Sequence, residues 1–259
     1  MASWRSGYAE DCKSLHAGSI PAEASTGSLG AGERMSATDF ELARFNMVNS
    51  QVRTTDVTDH ELIEAMLDIP RERFVPSAFR FASYIDEDIE VSPASDDGPA
   101  RYLLEPSPFA KLVQLADIRP TDTVLDLGCA TGYSTAVISR LCESVIAVES
   151  DADLAGYAME ALVELGIDNA AVVEGRLAEG YPKEAPYDVI ILEGAVPEVP
   201  GALFDQLRDG GRLVAIIGSG LSSRAHLFTK DEGILASRPT FNAAVPQLPG
   251  FEHEIGFVF

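Results

Sequence analysis

Basic residues are scarce in this chain: 19 Lys and Arg stand against 41 Asp and Glu over 259 residues, a formal charge of -22. Nucleic-acid binders bring a basic face to the phosphates, so the deficit argues against a DNA or RNA partner and, on the same electrostatic ground, against an anionic membrane surface. Cysteine is nearly absent as well. Cys12, Cys129 and Cys142 are an odd number at wide spacing without a C-x-x-C pair, which argues against a disulfide framework or a zinc site and points to a reducing cytoplasm. No apolar run approaches the roughly 20 residues of a membrane helix, and the N-terminus lacks the basic-then-apolar order of a signal peptide. His16, His60, His226 and His253 show no metal-ligand spacing. These absences leave a soluble cytoplasmic protein, expected to be a monomer without metal.

What is present is apolar sequence, 46% of the residues, enough for a sizeable core. Residues 1–34 do not share in it: they are rich in Ala, Ser and Gly, show no sustained periodicity, and carry 3 of the 19 basic and 4 of the 41 acidic residues. Such a segment buries too little to offset its ordering entropy, so it is expected to be a disordered or spurious extension, with Met35 opening a domain that runs to residue 259. Gly18-Ser19-Ile20-Pro21 can be encoded by GGT-TCG-ATT-CCC, which reads like the T-arm of a transfer RNA gene. The genomic DNA over codons 1–34 is therefore expected to form a transfer RNA clover-leaf, and its absence refutes the reading.

Between Phe40 and Leu67 the apolar residues recur at helical spacing, and Thr58-Asp59-His60-Glu61 is expected to open a helix that Asp68-Ile69-Pro70 ends. A short helix is expected at Pro76–Ala82, then an irregular stretch from Tyr84 to Glu105 holding seven acids against one base, Arg101. After a helix at Pro108–Ala116 the pattern changes. Strands at 123–127, 144–149, 170–173, 187–192 and 212–217 alternate with helices at 133–141, 152–165 and 201–207, which argues for a doubly wound, mostly parallel sheet. Further strands are expected at 225–229, 234–237 and 254–259. The domain thus divides into a helical cap (40–116), a core (117–218) and C-terminal strands and loop (219–259). The loop Asn242 to Phe251 is expected to wall the pocket.

The segment that carries chemistry is Val124-Leu125-Asp126-Leu127-Gly128-Cys129-Ala130-Thr131-Gly132-Tyr133. A strand ending in Gly-rich chain that feeds a helix bares backbone N–H groups at the carboxyl edge of the sheet, where such folds bind ligands. Gly128, Ala130 and Tyr133 stand where a dinucleotide fingerprint needs three glycines, and there is no G-x-x-x-x-G-K-S/T loop. Asp126-x-Gly128-x-Ala130-x-Gly132, with Glu149 closing the next strand, instead resembles the S-adenosylmethionine site of class I methyltransferases, a Rossmann-like α/β fold. The resemblance implies that the glycine loop lies against the cofactor's amino-acid part and that Glu149 holds both ribose hydroxyls by charge-assisted hydrogen bonds.

Ile69 to Pro76, Glu105 to Pro108, Gly132 to Ala136, Ala185 to Ile190 and Gln206 to Val214 together resemble the protein-L-isoaspartate O-methyltransferases, in that family's order and spacing. The resemblance implies methyl transfer to the α-carboxylate of isoaspartyl residues in damaged proteins, and cofactor contacts at Asp126, Gly128, Cys129, Ala130, Thr131, Gly132, Tyr133, Glu149, Ser150, Arg176 and Leu177. The chain departs from the family at the substrate side. Tyr102-Leu103-Leu104 replaces Thr-Ile-Ser, whose Ser contacts the reacting carboxylate; Gly175-Arg176-Leu177 replaces Gly-Asp-Gly; Glu193-Gly194-Ala195 replaces Thr-Ala-Ala. Tyr102, Leu104 and Glu193 are the catalytic candidates, Glu193 as a base or as the partner of a cationic acceptor. Another methyl acceptor, or a cofactor-binding paralogue without catalysis, stays open. The acids between Asp86 and Asp97 are expected to repel an anionic peptide at low salt.

Overall fold

The computed structural model describes residues 35–94 and 98–252. The expectations for residues 1–34, for Asp96 and Asp97, and for a last strand at 254–259 lie outside the described residues.

Helix α1 (Ala37–Met47) begins at a capping box in which Ser36 and Asp39 satisfy each other's backbone N–H. It runs on through a π turn (Val48–Val52) and a 3-10 turn (Arg53–Thr55). Helix α2 (His60–Asp68) is capped by Asp59, which accepts from Leu62 N at 3.1 Å, while the N–H of Thr58 goes to Gln114 Oε1 at 2.7 Å. Ile69 leaves the helix in extended conformation, as the residue before a proline must. The helix expected at Pro76–Ala82 shrinks to one 3-10 turn (Arg80–Ala82). Phe79 and Phe81 are 53% and 72% exposed, so the segment has no buried face to stabilise further turns.

The stretch expected to be irregular contains an antiparallel pair, β1 (Ile89–Ser92) with β2 (Arg101–Leu103). Ile89 faces Leu103 and both are buried, but the surrounding acids hide that alternation in the sequence. Helix α3 (Pro106–Ala116) follows, with Pro106 in the first turn, where its missing N–H costs nothing.

The core alternates β3 (Thr123–Leu127), α4 (Tyr133–Ile138), β4 (Ser144–Glu149), α5 (Ala152–Glu164), β5 (Ala170–Glu174), β6 (Tyr187–Val196), α6 (Gly201–Asp205) and β7 (Leu207–Ile217), followed by β8 (Arg224–Asp231) and β9 (Ile234–Asn242). They form one sheet in the order β5-β4-β3-β6-β7-β8-β9, parallel up to β7 and antiparallel beyond it. Strand β9 runs past its expected end at Ser237 through Pro239, which an edge strand tolerates because the missing donor faces no neighbour. One face of the sheet, with Val124, Val189, Ile191 and Val214, packs beneath the N-terminal cap. The other, with Leu125, Leu127, Ile190 and Leu213, packs on Leu203 of α6.

Chain order reverses between β3 and β6, and that switch point opens a crevice at the carboxyl ends of the strands. Strand β6 was expected to stop at Leu192 but runs to Val196, with its register against β7 broken between Ile191 and Ala195. Glu193 sits in that irregularity, at the crevice.

Candidate functional site

The loop from Gly128 to Gly132 crosses the end of β3 with three residues in the left-handed region: Gly128 (φ 86°), Ala130 (φ 49°) and Gly132 (φ 94°). Gly132 is required for a second reason, since a Cβ there would lie 2.9 Å from the Ala158 Cβ of α5. Asp126 is fully buried below the loop, and its Oδ2 accepts from Ser134 Oγ at 2.8 Å and Thr135 Oγ1 at 2.7 Å in the first turn of α4. Burial pushes its carboxyl up to about 6, against the lowering effect of those two hydroxyls. Asp126 thus ties strand to helix. The N–H of Ala130 in the loop donates to Glu149 Oε2 at 2.8 Å, because β4 lies next to β3 and ends beneath the loop.

Glu149 is fully buried and heavily bonded. Its Oε1 accepts from Ser150 N at 2.8 Å, Asp151 N at 3.1 Å and Ser150 Oγ at 3.2 Å. The guanidinium of Arg101 closes on both oxygens, Nη1 on Oε1 and Nη2 on Oε2 at 2.9 Å, and Nη2 also reaches Gly128 O at 3.4 Å. Arg101 is 5% exposed, so this is a buried bidentate ion pair. In the sequence Arg101 is the one base of a stretch expected to be irregular, and its solitary charge among seven acids is the signal of a buried partner.

On the other side of the loop, Leu103, Leu104, Tyr102, Glu193 and Tyr133 line a cavity of about 10 Å³, about enough for one water molecule. Leu104 is buried and offers only its carbonyl, which accepts from Arg71 Nη2 at 2.7 Å. Arg71 is itself buried, donates to Ser83 O at 2.9 Å, and lies 4.6 Å from the centre of the Tyr133 ring. Tyr133 packs between Phe74 and Phe109. Glu193 Oε1 is buried without a hydrogen-bond partner, and burial together with the charge of Asp126 raises its carboxyl well above the ordinary range.

The remaining candidates divide. Tyr102 lines the cavity but turns its hydroxyl toward Glu90 Oε2 at 3.4 Å. Cys129 is buried in the loop with its thiol held protonated by burial, which makes it packing rather than a nucleophile. Thr131 donates to Phe74 O at 2.6 Å and ties the loop to the cap. Arg176 is an exposed partner of Glu179 at 3.1 Å, and Leu177 is buried in the core cluster that also holds Leu248.

A strap from the C-terminal region closes the crevice. Ala195 N donates to Pro246 O at 2.8 Å and Leu248 N donates to Ala195 O at 2.9 Å, so the strap hangs on the end of β6. Leu248 presses on two glycines: a Cβ on Gly128 would lie 2.6 Å from Leu248 Cδ2, and one on Gly194 would lie 2.8 Å from its Cγ. A larger depression of about 710 Å³ lies among Glu61, Asp68, Pro120 and Arg140, away from all of these residues.

For a nucleoside-bearing cofactor the acceptor is present and engaged: Glu149 presents both oxygens to a bidentate donor, as a ribose diol requires, but the guanidinium of Arg101 holds that place and Leu248 packs on the loop at Gly128. Among the described residues no cluster of three His, Cys, Asp or Glu is arranged to hold a metal ion, and no helix is long and apolar enough to cross a membrane.

Residues 44–244 match the family of protein-L-isoaspartate(D-aspartate) O-methyltransferases. The chain is 35% identical over 198 residues to the protein-L-isoaspartate O-methyltransferase of Koribacter versatilis, covering 76% of this chain and 86% of that one. It is likewise 35% identical over 196 residues to the enzyme of Methanoculleus marisnigri, with the same two coverages. A solved protein-L-isoaspartate O-methyltransferase superposes with a TM-score of 0.71 at 28% identity, over 80% of this chain and 67% of the other. A Plasmodium falciparum chain crystallised with S-adenosyl-L-homocysteine shares the fold at a TM-score of 0.66 and 20% identity, over 82% of this chain and 98% of its own. The loop, the acid at the end of β4 and the sheet order agree with the match along most of the sequence, and the chain belongs to the protein-L-isoaspartate(D-aspartate) O-methyltransferase family.

Proposed function

We propose that this chain transfers the methyl group of S-adenosylmethionine to the α-carboxylate of isoaspartyl residues in damaged proteins, as a repair enzyme. The observation that carries the reading is the glycine loop bonded to the buried Glu149 at the switch point of the sheet, in a chain of this family. The acceptor carboxylate is already ionised at neutral pH, so the reaction asks the protein mainly to position it in line with the methyl group. Leu104 has no side-chain donor for that task. Glu193, kept protonated by burial and turned into the same cavity, offers an O–H to the acceptor carboxylate where the family uses a serine hydroxyl. This replaces the expectation of a base or a cation partner: a neutral carboxyl does neither.

The proposed partners are isoaspartyl proteins or peptides, with no nucleic acid and no membrane, and the proposed form is a cytoplasmic monomer. The excess of acids and the buried free thiols of Cys129 and Cys142 support that setting. Methyl transfer to an isoaspartyl peptide, compared with its aspartyl twin and followed over a range of salt concentrations, tests the reading. Methylation of the isoaspartyl peptide alone, with KM falling as salt screens the acidic segment, is expected. A chain that binds the cofactor but methylates neither peptide at any salt concentration sinks the repair function.

A further inference from the structure

We propose that Arg101 determines how tightly this chain holds its cofactor: the guanidinium occupies the carboxylate that the ribose needs, and the cofactor enters when Arg101 leaves Glu149. The inference rests on the S-adenosylmethionine reading above.

The two occupants exclude each other on donor count. Glu149 Oε1 already accepts from the backbone N–H groups of Ser150 and Asp151, and Oε2 from that of Ala130 in the loop. A carboxylate has about four acceptor sites. Those three bonds and the two from the Arg101 guanidinium already exceed that number, so the hydroxyls of a ribose find a place on Glu149 only where the guanidinium gives one up.

Arg101 is also free to leave in a way that Glu149 is not. Among the described residues, its guanidinium's contacts beyond Glu149 are long, to Gly128 O at 3.4 Å and Ser150 Oγ at 3.5 Å. It stands on β2, a strand of three residues that pairs with β1 through an irregular register. The charged groups nearest that pair in the chain are acids. Asp88 accepts from the N–H of Glu105 at 2.8 Å and Glu90 accepts from Tyr102; burial raises the Asp88 carboxyl against the lowering effects of that N–H and of Arg71, and burial with Asp86, Asp88 and Glu87 raises the carboxyl of Glu105. A guanidinium released toward them exchanges one counter-charge for others. The acidic stretch thereby becomes the alternative seat of Arg101.

Calorimetry with S-adenosylhomocysteine on the wild-type chain, Arg101→Gln and Arg101→Lys, each checked for folding by circular dichroism, tests the proposal. Arg101→Gln is expected to bind at least tenfold more tightly than wild type, and Arg101→Lys, a single-point donor, to fall between them. Binding by Arg101→Gln alone supports the proposal in its strongest form. Equal or weaker affinity in folded Arg101→Gln overturns it, and binding by none of the chains overturns the cofactor reading and this proposal with it. Should the variants not fold, a crystal structure of the wild-type chain with S-adenosylhomocysteine decides. Arg101 displaced from Glu149 supports the proposal, and a bound ligand beside the intact ion pair overturns it.

Discussion

Replacing Glu149 with alanine is expected to cost the fold up to about 3–5 kcal/mol, because it removes one partner of a buried ion pair and forces Arg101 out of the buried position in which Glu149 holds it. The N–H groups of Ala130, Ser150 and Asp151 lose their acceptor in the same step. Against a typical total of about 5–15 kcal/mol this is a large fraction, visible as a lowered denaturation midpoint in urea. The double replacement Arg101→Leu with Glu149→Leu is expected to recover at least half of the loss, since an apolar pair of similar volume carries no desolvation cost. A Glu149→Ala chain within about 1 kcal/mol of wild type contradicts the burial of this pair. On the proposed function the same carboxylate contributes to cofactor binding, where charge-assisted hydrogen bonds are worth about 1.5–3 kcal/mol. That second effect is expected in full only in an Arg101→Gln background. In the wild-type chain the ribose must first displace the guanidinium, so part of what Glu149 offers is spent before binding begins.

The second large effect is a loss of stability as pH rises, carried by Glu193. Its folded carboxyl stands well above the ordinary value because burial, and then the charge of Asp126, disfavours ionisation. Below the unfolded value of about 4.3 both states are protonated and the group contributes nothing to the pH dependence. Above it the unfolded chain releases the proton and the folded chain keeps it, so stability falls by about 1.4 kcal/mol per pH unit until the folded carboxyl ionises. Asp126, pushed up to about 6, adds a shorter window of the same sign from the ordinary aspartate range to that pH. Urea unfolding at a series of pH values is expected to show a shallower decline in Glu193→Gln than in wild type. Superimposable slopes would mean that Glu193 is ionised in the fold. The same variant separates the chemical role from the structural one: Glu193→Gln retains an N–H donor and is expected to keep methyl transfer with a raised KM, while Glu193→Leu is expected to lose it. Equal activity in the two removes Glu193 from the acceptor site.

The parallel core was legible before any coordinates, because each of its elements has a local cause. Buried strands read as short apolar runs, helices as apolar residues at helical spacing, and the loop as Gly128 and Gly132 between Asp126 and Glu149. The β1–β2 pair was not legible, since its stability comes from contact across a dozen intervening residues and its apolar positions are embedded in acids. The same is true of the helix that fails at Pro76–Ala82, where the side chains suit a helix but find nothing to pack against.

The site divides along that line. Glu149, Asp126 and the loop are close in sequence to the strand ends that position them, so order and spacing were enough to locate them. Their partners are not. Asp126 binds hydroxyls of α4, Arg176 folds back on Glu179, and Arg101 reaches the crevice from 48 residues before Glu149; Leu248, in the loop expected to wall the pocket, is the exception. Sequence alone determined the fold class, the glycine loop and the acid at the end of β4, because those depend on local geometry and on the burial each strand requires. Tertiary structure alone decided that this acid holds the guanidinium of Arg101, because that pairing depends on which distant segments the fold brings within hydrogen-bonding distance.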